Sequence, residues 1–307
     1  MAYMENQIET QEQLQEQLNQ INKWEKTQKK VWIWEKIGRI PFMLLDKLTP
    51  KVVREKLGVA LNEIGGFIQT GGQYLVQEKS MLKRLVKADQ LRKAKSFQDV
   101  SVAEDSRKGV KGDEQDQPSS IANVSLLPLC TMDEVADELI ASRVKFAAAQ
   151  GATTGIGGIF TVAIDIPVVL GTSLKVLQEL AICYGYDPKE KQERIFIVKC
   201  LQFSSADVVG RKAILEELTA HFDQKNHDAQ VFSQLQGWRE VVQTYVDSFG
   251  WKKLLQLVPI AGIVFGSMSN KGMMEGVGEA GKMLYRKRRI VQRLEEMKAH
   301  NANTPLG

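Results

Sequence analysis

The sequence predicts an all-α protein, a multi-helix bundle whose central helices pack through small Gly and Ala residues. Three observations carry this. Ala147, Gly151 and Gly155 recur four apart inside an apolar stretch, so on a helix they line one smooth stripe along which a second backbone can approach. A second uncharged run, 254–270, repeats the step at Gly262 and Gly266, and Gly272, Gly276 and Ala280 continue it one register over. Helix-start signals also recur. Thr131 with Glu134 fits a capping box, and Asp187-Pro188-Lys189-Glu190 supplies an N-cap, a first-turn proline and an early acidic residue. The two small-residue runs are expected to pack on each other as a core.

A chain of 307 residues is long enough for one or two domains with a substantial core. Its 43% hydrophobic and 25% charged residues are ordinary for a soluble globular protein. A net charge of +4 lends no support to a nucleic-acid partner. Cys130, Cys183 and Cys200 lie in or beside apolar runs and read as free thiols in a reducing compartment. The start, MAYMENQIETQEQ, has neither a basic n-region nor an apolar h-region, so no signal peptide is expected. The expected address is cytoplasmic, at the inner surface of the membrane.

Taken in order, residues 1–22 form an acidic arm with Glu5, Glu9, Glu12 and Glu16 and no basic residue. Leu14, Leu18 and Ile21 make a seam too short for a coiled coil, so a solvated helical arm is expected. Residues 23–95 form a basic and aromatic helical segment of the main domain. Here Trp24, Trp32 and Trp34 alternate with Lys23, Lys26, Lys29, Lys30, Lys36 and Arg39, a pattern suited to a membrane interface. Inward-packed tryptophans beneath a wet lysine face are the alternative. Residues 96–125 lose hydrophobic periodicity and read as a flexible linker or long loop. Residues 126–298 form the helical core, and 299–307 a disordered tail.

Between Lys145 and Lys175 the only charged residue is Asp165. The nineteen uncharged residues from Phe146 to Ile164 approach the lower limit for a bilayer span, which keeps an integral hairpin through 146–182 open. Pro167 predicts a helix break there, with Asp165 capping a second helix from Ile166 to Tyr184. The sharper alternative makes Asp165 a functional carboxylate in apolar surroundings with a raised pKa. Arg143 and Glu179 are the accompanying catalytic candidates. Residues 282–298 carry seven Lys/Arg against two Glu. Arg286, Lys287, Arg288 and Arg289, with Trp24, Trp32, Trp34, Lys29 and Lys30, are the candidate membrane-surface residues for anionic phospholipid. A buried helix with a solvated basic exit is the competing reading.

Motifs that would announce chemistry are missing. No GxxxxGK[ST] loop, GxGxxG fingerprint, HExxH, CxxC or EF-hand pattern occurs. His221, His227 and His300 are scattered, and Ser204 and Ser205 lack a GxSxG elbow. No cofactor and no metal are expected.

Several ordered segments resemble the EcsC family of bacterial proteins. They are QGATTG at 150–155, Asp165-Ile166-Pro167, CYGYD at 183–187 followed by Glu193-Arg194, and VPIAG…SN…VGEAGKMLYRKR at 258–288. The resemblance covers 126–290, extends to 23–95, and makes the acidic arm and the linker look like additions. The family takes its name from a protein encoded beside an ABC transporter, which implies a membrane-associated accessory role; it brings no established catalytic residues. The expected function is therefore non-enzymatic. The expected partners are an anionic membrane surface and a membrane protein complex, with no nucleic acid. The alternative is a soluble, hydrolase-like helical enzyme with an apolar cleft around Asp165.

Overall fold

The computed structural model describes residues 9–28, 66–67, 76–100, 120–154, 159–205, 208–223 and 261–303, without side chains at 95–100, 151–167, 169, 205, 208–210, 219–223, 261–269 and 302–303. Among these residues the assigned elements are eight helices: α1 (Gln11–Gln28), α2 (Glu78–Val100), α3 (Ile121–Val124), α4 (Leu129–Thr154), α5 (Ile159–Cys183), α6 (Lys191–Ser205), α7 (Val208–Asp223) and α8 (Ala261–Asn303).

Helix α1 opens on a reciprocal cap. The Thr10 hydroxyl accepts from the Gln13 amide at 3.2 Å, and the Thr10 amide donates to Gln13 Oε1 at 2.9 Å, so a T-x-x-Q step satisfies two orphan donors. The arm is docked rather than solvated: Leu14 and Ile21 are fully buried, and Leu18 packs on the same core. Helix α8 draws it in. Lys287 meets Glu25 at 2.7 Å, Arg286 donates to Gln17 at 3.0 Å, and the Trp24 indole donates to Glu279 at 2.7 Å while packing on Phe203.

Helix α8 has 43 residues, about 65 Å at 1.5 Å per residue, and lies antiparallel along α4. Lys282 with Asp137 and Arg286 with Asp133 hold one register, and Gly278 faces Ile140 in step with them. Two glycines permit this approach. A Cβ on Gly278 would stand 2.7 Å from Ile140 Cγ2, and one on Gly281 would stand 2.6 Å from Leu177 Cδ2 of α5. By contrast, a Cβ on Gly272 or Gly276 would meet nothing within 4 Å among the described residues, whereas Ala280 of the same expected stripe is buried in the core. Ala147 is buried. Gly151, Gly262 and Gly266 lie on described helix backbone, but their surroundings, and Gly155 altogether, fall outside the described residues.

Three expected boundaries are corrected. Asp165 and Pro167 lie inside α5, so Asp165 does not cap a helix. An interior proline costs about 3 kcal/mol. Helices in proteins draw most of their stability from packing, and here Leu170, Leu174, Val176, Leu177 and Leu180 are all buried beyond the proline. Thr131 sits inside α4, which starts at Leu129 just after Pro128. Its amide donates to the Pro128 carbonyl at 3.1 Å, and its buried hydroxyl has no partner among the described residues. Finally, α2 continues to Val100, α3 and the following turn occupy 121–125, and α8 reaches Asn303. The ends of the expected linker and the start of the expected tail are therefore helical, while 101–119 and 304–307 lie outside the described residues.

Candidate functional site: a cation ladder and an uncharged end

The basic stretch of α8 turns inward. Lys282 pairs with Asp137 at 2.6 Å. Arg286 pairs with Asp133 at 2.8 Å, and the Tyr184 hydroxyl donates to the same carboxylate at 2.6 Å. Arg288 donates to Glu193 at 2.6 Å and stacks over the rings of Tyr186 and Phe196, at 4.0 and 4.9 Å. The other Glu193 oxygen accepts from the Tyr285 hydroxyl at 2.5 Å. Burial pushes the Glu193 carboxyl above its ordinary range, with Arg288 pulling the other way. It also raises the Tyr184 and Tyr285 phenols. Both oxygens of Glu193 are engaged inside the bundle, where the residue is buried, so this cluster binds helices together.

Two further arginines finish helix ends. Helix α5 stops at Gly185, whose φ of +77° suits the left-handed C-cap that glycine adopts without a Cβ penalty. The Tyr186 amide returns to the Ala181 carbonyl at 2.9 Å, and the Gly185 amide to that of Ile182 at 3.0 Å. Arg289 covers the carbonyls of Tyr184, at 2.6 and 2.9 Å, and Gly185, at 3.2 Å. Arg293 donates to the Ser125 carbonyl at 2.9 Å, the Leu127 carbonyl at 2.5 Å and the Glu9 carboxylate. The second Glu9 oxygen accepts from the Leu129 amide at 2.6 Å. A carboxylate 120 residues upstream thus caps α4, where its charge also complements the helix dipole.

These placements revise the candidate sites. Arg286, Lys287, Arg288 and Arg289 were expected on a membrane surface; they are engaged instead by Asp133, Glu25, Glu193 and the α5 carbonyls. Trp24 is half-buried, and Trp32, Trp34, Lys29 and Lys30 lie outside the described residues. Among the catalytic candidates, Arg143 and Glu179 come together as a two-bond clamp between α4 and α5, at 2.6 and 3.1 Å. Asp165 is fourteen residues before Glu179 on α5, about 21 Å along the axis, and its side chain is outside the described residues. The pair therefore serves itself rather than Asp165. Among the described residues, no three His, Cys, Asp or Glu side chains are grouped to hold a metal ion.

The other end of the same helices is built differently. Beyond Lys145 on α4, before Lys175 on α5 and before Lys271 on α8, the described helical segments carry no charged residue except Asp165. Phe146 and Val168 are 57% and 44% exposed there. Among the described residues no helix is long and apolar enough to cross a membrane.

The model of the EcsC protein family matches residues 15–290. The chain belongs to this family. The match begins inside α1 and runs through 96–125, so the linker region and residues 15–22 of the arm fall within the EcsC span, and residues 1–14 precede it. Two relatives come from Bacillus subtilis (strain 168). The protein named "Uncharacterized protein YdbA" is 51% identical over 288 residues, covering 94% of this chain and 97% of that protein. "Protein EcsC" is 33% identical over 164 residues, covering 53% of this chain and 66% of its own length. No solved structure matches. The EcsC-like segments CYGYD and YRKR form the α5 C-cap and the ladder. The roles of Glu9, Arg293, Glu193 and Tyr285 escaped sequence reasoning, because each partner lies about 90 or more residues away.

Proposed function

We propose that this EcsC-family chain is a non-enzymatic cytoplasmic protein that associates peripherally with the inner membrane and acts there as an accessory to a membrane complex such as an ABC transporter. The observation that carries the reading is the shared end of three helices. Residues 146–154 of α4, 159–174 of α5 and 261–270 of α8 contain one charged residue between them. Such a concentration of uncharged, largely apolar sequence at one end of a soluble-type bundle suits partial burial in lipid. The enzyme alternative is weakened because Arg143 and Glu179 neutralise each other.

Co-flotation of the full chain with vesicles of phosphatidylcholine and phosphatidylglycerol tests the reading. Binding at low salt that declines as salt is raised is expected, since screening weakens attraction to anionic headgroups. Absence of binding at low salt, together with wholly soluble fractionation from cells, would overturn it.

A further inference from the structure

We infer that the uncharged end of the bundle enters one leaflet of an anionic bilayer, with Lys145, Lys175 and Lys271 as a collar at headgroup level. This rests on the membrane reading above and deepens it by naming the end that enters, the depth and the lipid chemistry.

The collar follows from helix register. The contacts of Asp137 with Lys282 and Asp133 with Arg286 place Lys271 of α8 level with Ala148 of α4. Those of Arg143 with Glu179 and Asp133 with Tyr184 place Lys175 of α5 level with residues 142–147 of α4. Three lysines on three helices thus fall within about two turns, on the order of 9 Å. Lysine stems can take up part of that spread, carrying their ammonium groups to the headgroups while the stem stays in apolar surroundings.

The collar cations are also available. Among the described residues, Lys145 and Lys175 form no ion pair and no side-chain hydrogen bond. Lys271 has only a 3.7 Å contact with Glu275, both side chains being about half exposed. The ladder cations are instead engaged by internal partners. The clustered cations of 282–293 are thus not those free to meet lipid.

Beyond the collar, α4 continues for nine residues, α8 for ten and α5 for sixteen, roughly 13, 15 and 24 Å. That is comparable with one leaflet, about 20 Å with its headgroup region, and short of a whole bilayer. Exposed Phe146 adjoins the collar, and exposed Val168 lies two turns past it. A bilayer fits better than a protein partner for a geometric reason. Cations at one axial level on three helices, with only uncharged sequence but for Asp165 beyond them, match a headgroup layer over hydrocarbon.

The experiment uses the full chain carrying Cys130→Ser, because Cys183 and Cys200 are buried and burial raises their thiols out of the reactive range. A polarity-sensitive fluorophore is attached at Phe146→Cys, or at Lys298→Cys, an exposed position far along α8. With phosphatidylglycerol vesicles, emission at position 146 is expected to shift to the blue, and emission at 298 to stay as in water. Each single Lys→Gln change in the collar is expected to weaken partitioning about fivefold. The Lys145→Glu/Lys175→Glu/Lys271→Glu variant should lose more than about a hundredfold with unchanged thermal melting. If wild type floats but the 146 probe remains water-like, or the triple variant floats equally, the inference fails and the membrane reading stands. If wild type does not float at all, both fail.

Discussion

Helices α4 and α8 each have two unlike halves. The first part of α4 carries Asp133, Glu134, Asp137, Glu138 and Arg143, whereas Phe146–Thr154 carries no charge. Helix α8 mirrors it, with no charge in 261–270 and seven cations in 282–298. Because the two helices run antiparallel, the charged halves meet and the uncharged halves meet. In the charged half, long-range ion pairs set register and close helix ends. In the uncharged half no such ion pair is found among the described residues, and Lys145 and Lys175 at its boundary form none. Charge density in a sequence is therefore a poor guide to a charged surface: the basic stretch 282–293 is engaged by internal partners.

The largest effect tests the charged half at its tightest point. Gly185→Ala is expected to cost about 3 kcal/mol, about half from a left-handed alanine and half from crowding. A Cβ there would stand 2.9 Å from both Arg289 Nη2 and the Ser125 amide nitrogen. Urea unfolding measures the loss, and vesicle binding of the folded fraction should be unchanged. A loss below about 1 kcal/mol would mean that this turn does not hold the end of α5.

Glu9→Ala is next, at about 1–2 kcal/mol, the range for removing a helix cap. Thermal melting gives the size, and hydrogen exchange should show faster opening at the start of α4 and along α1. Exchange unchanged in α4 would show that the Leu129 amide finds another acceptor.

The smallest effect is on pH dependence. The folded-state pKa of Glu193 is raised by burial, so between the ordinary carboxylate range, about 4.3, and that raised value the native state holds more protons than the unfolded one. Its contribution is present below the unfolded pKa and is lost as pH rises through the folded value. Glu193→Gln should flatten this decline in urea-derived stability, while lowering stability at every pH by removing the Arg288 partner. An unaltered slope would show that Arg288 keeps the carboxylate at its ordinary range.

Much of the site was legible locally. Gly185 as a helix end and the exceptional apolarity of 146–174 need only neighbouring residues to be read, whereas Asp187, expected to cap a helix beginning at Pro188, serves a turn instead, and α6 starts at Lys191. The Thr10/Gln13 cap was equally legible as T-x-x-Q. Thr131 and Asp165 misled because capping rules recognise a candidate cap but not whether packing will carry the helix past it: Pro128 starts α4 early, and the buried leucines after Pro167 sustain α5 through the proline. Glu9, Glu193 and the collar were not legible, since nothing local links Glu9 to Leu129 or sets Lys145 level with Lys271.

The sequence by itself determined that this is a helical EcsC-family protein with two uncharged small-residue runs, because helix periodicity, glycine spacing and family motifs are local properties. Tertiary structure alone decided which cations are spent and which are free. Pairing depends on the antiparallel register of α4 and α8, and that register is held by Asp133, Asp137 and Ile140 meeting Arg286, Lys282 and Gly278, all more than ninety residues away.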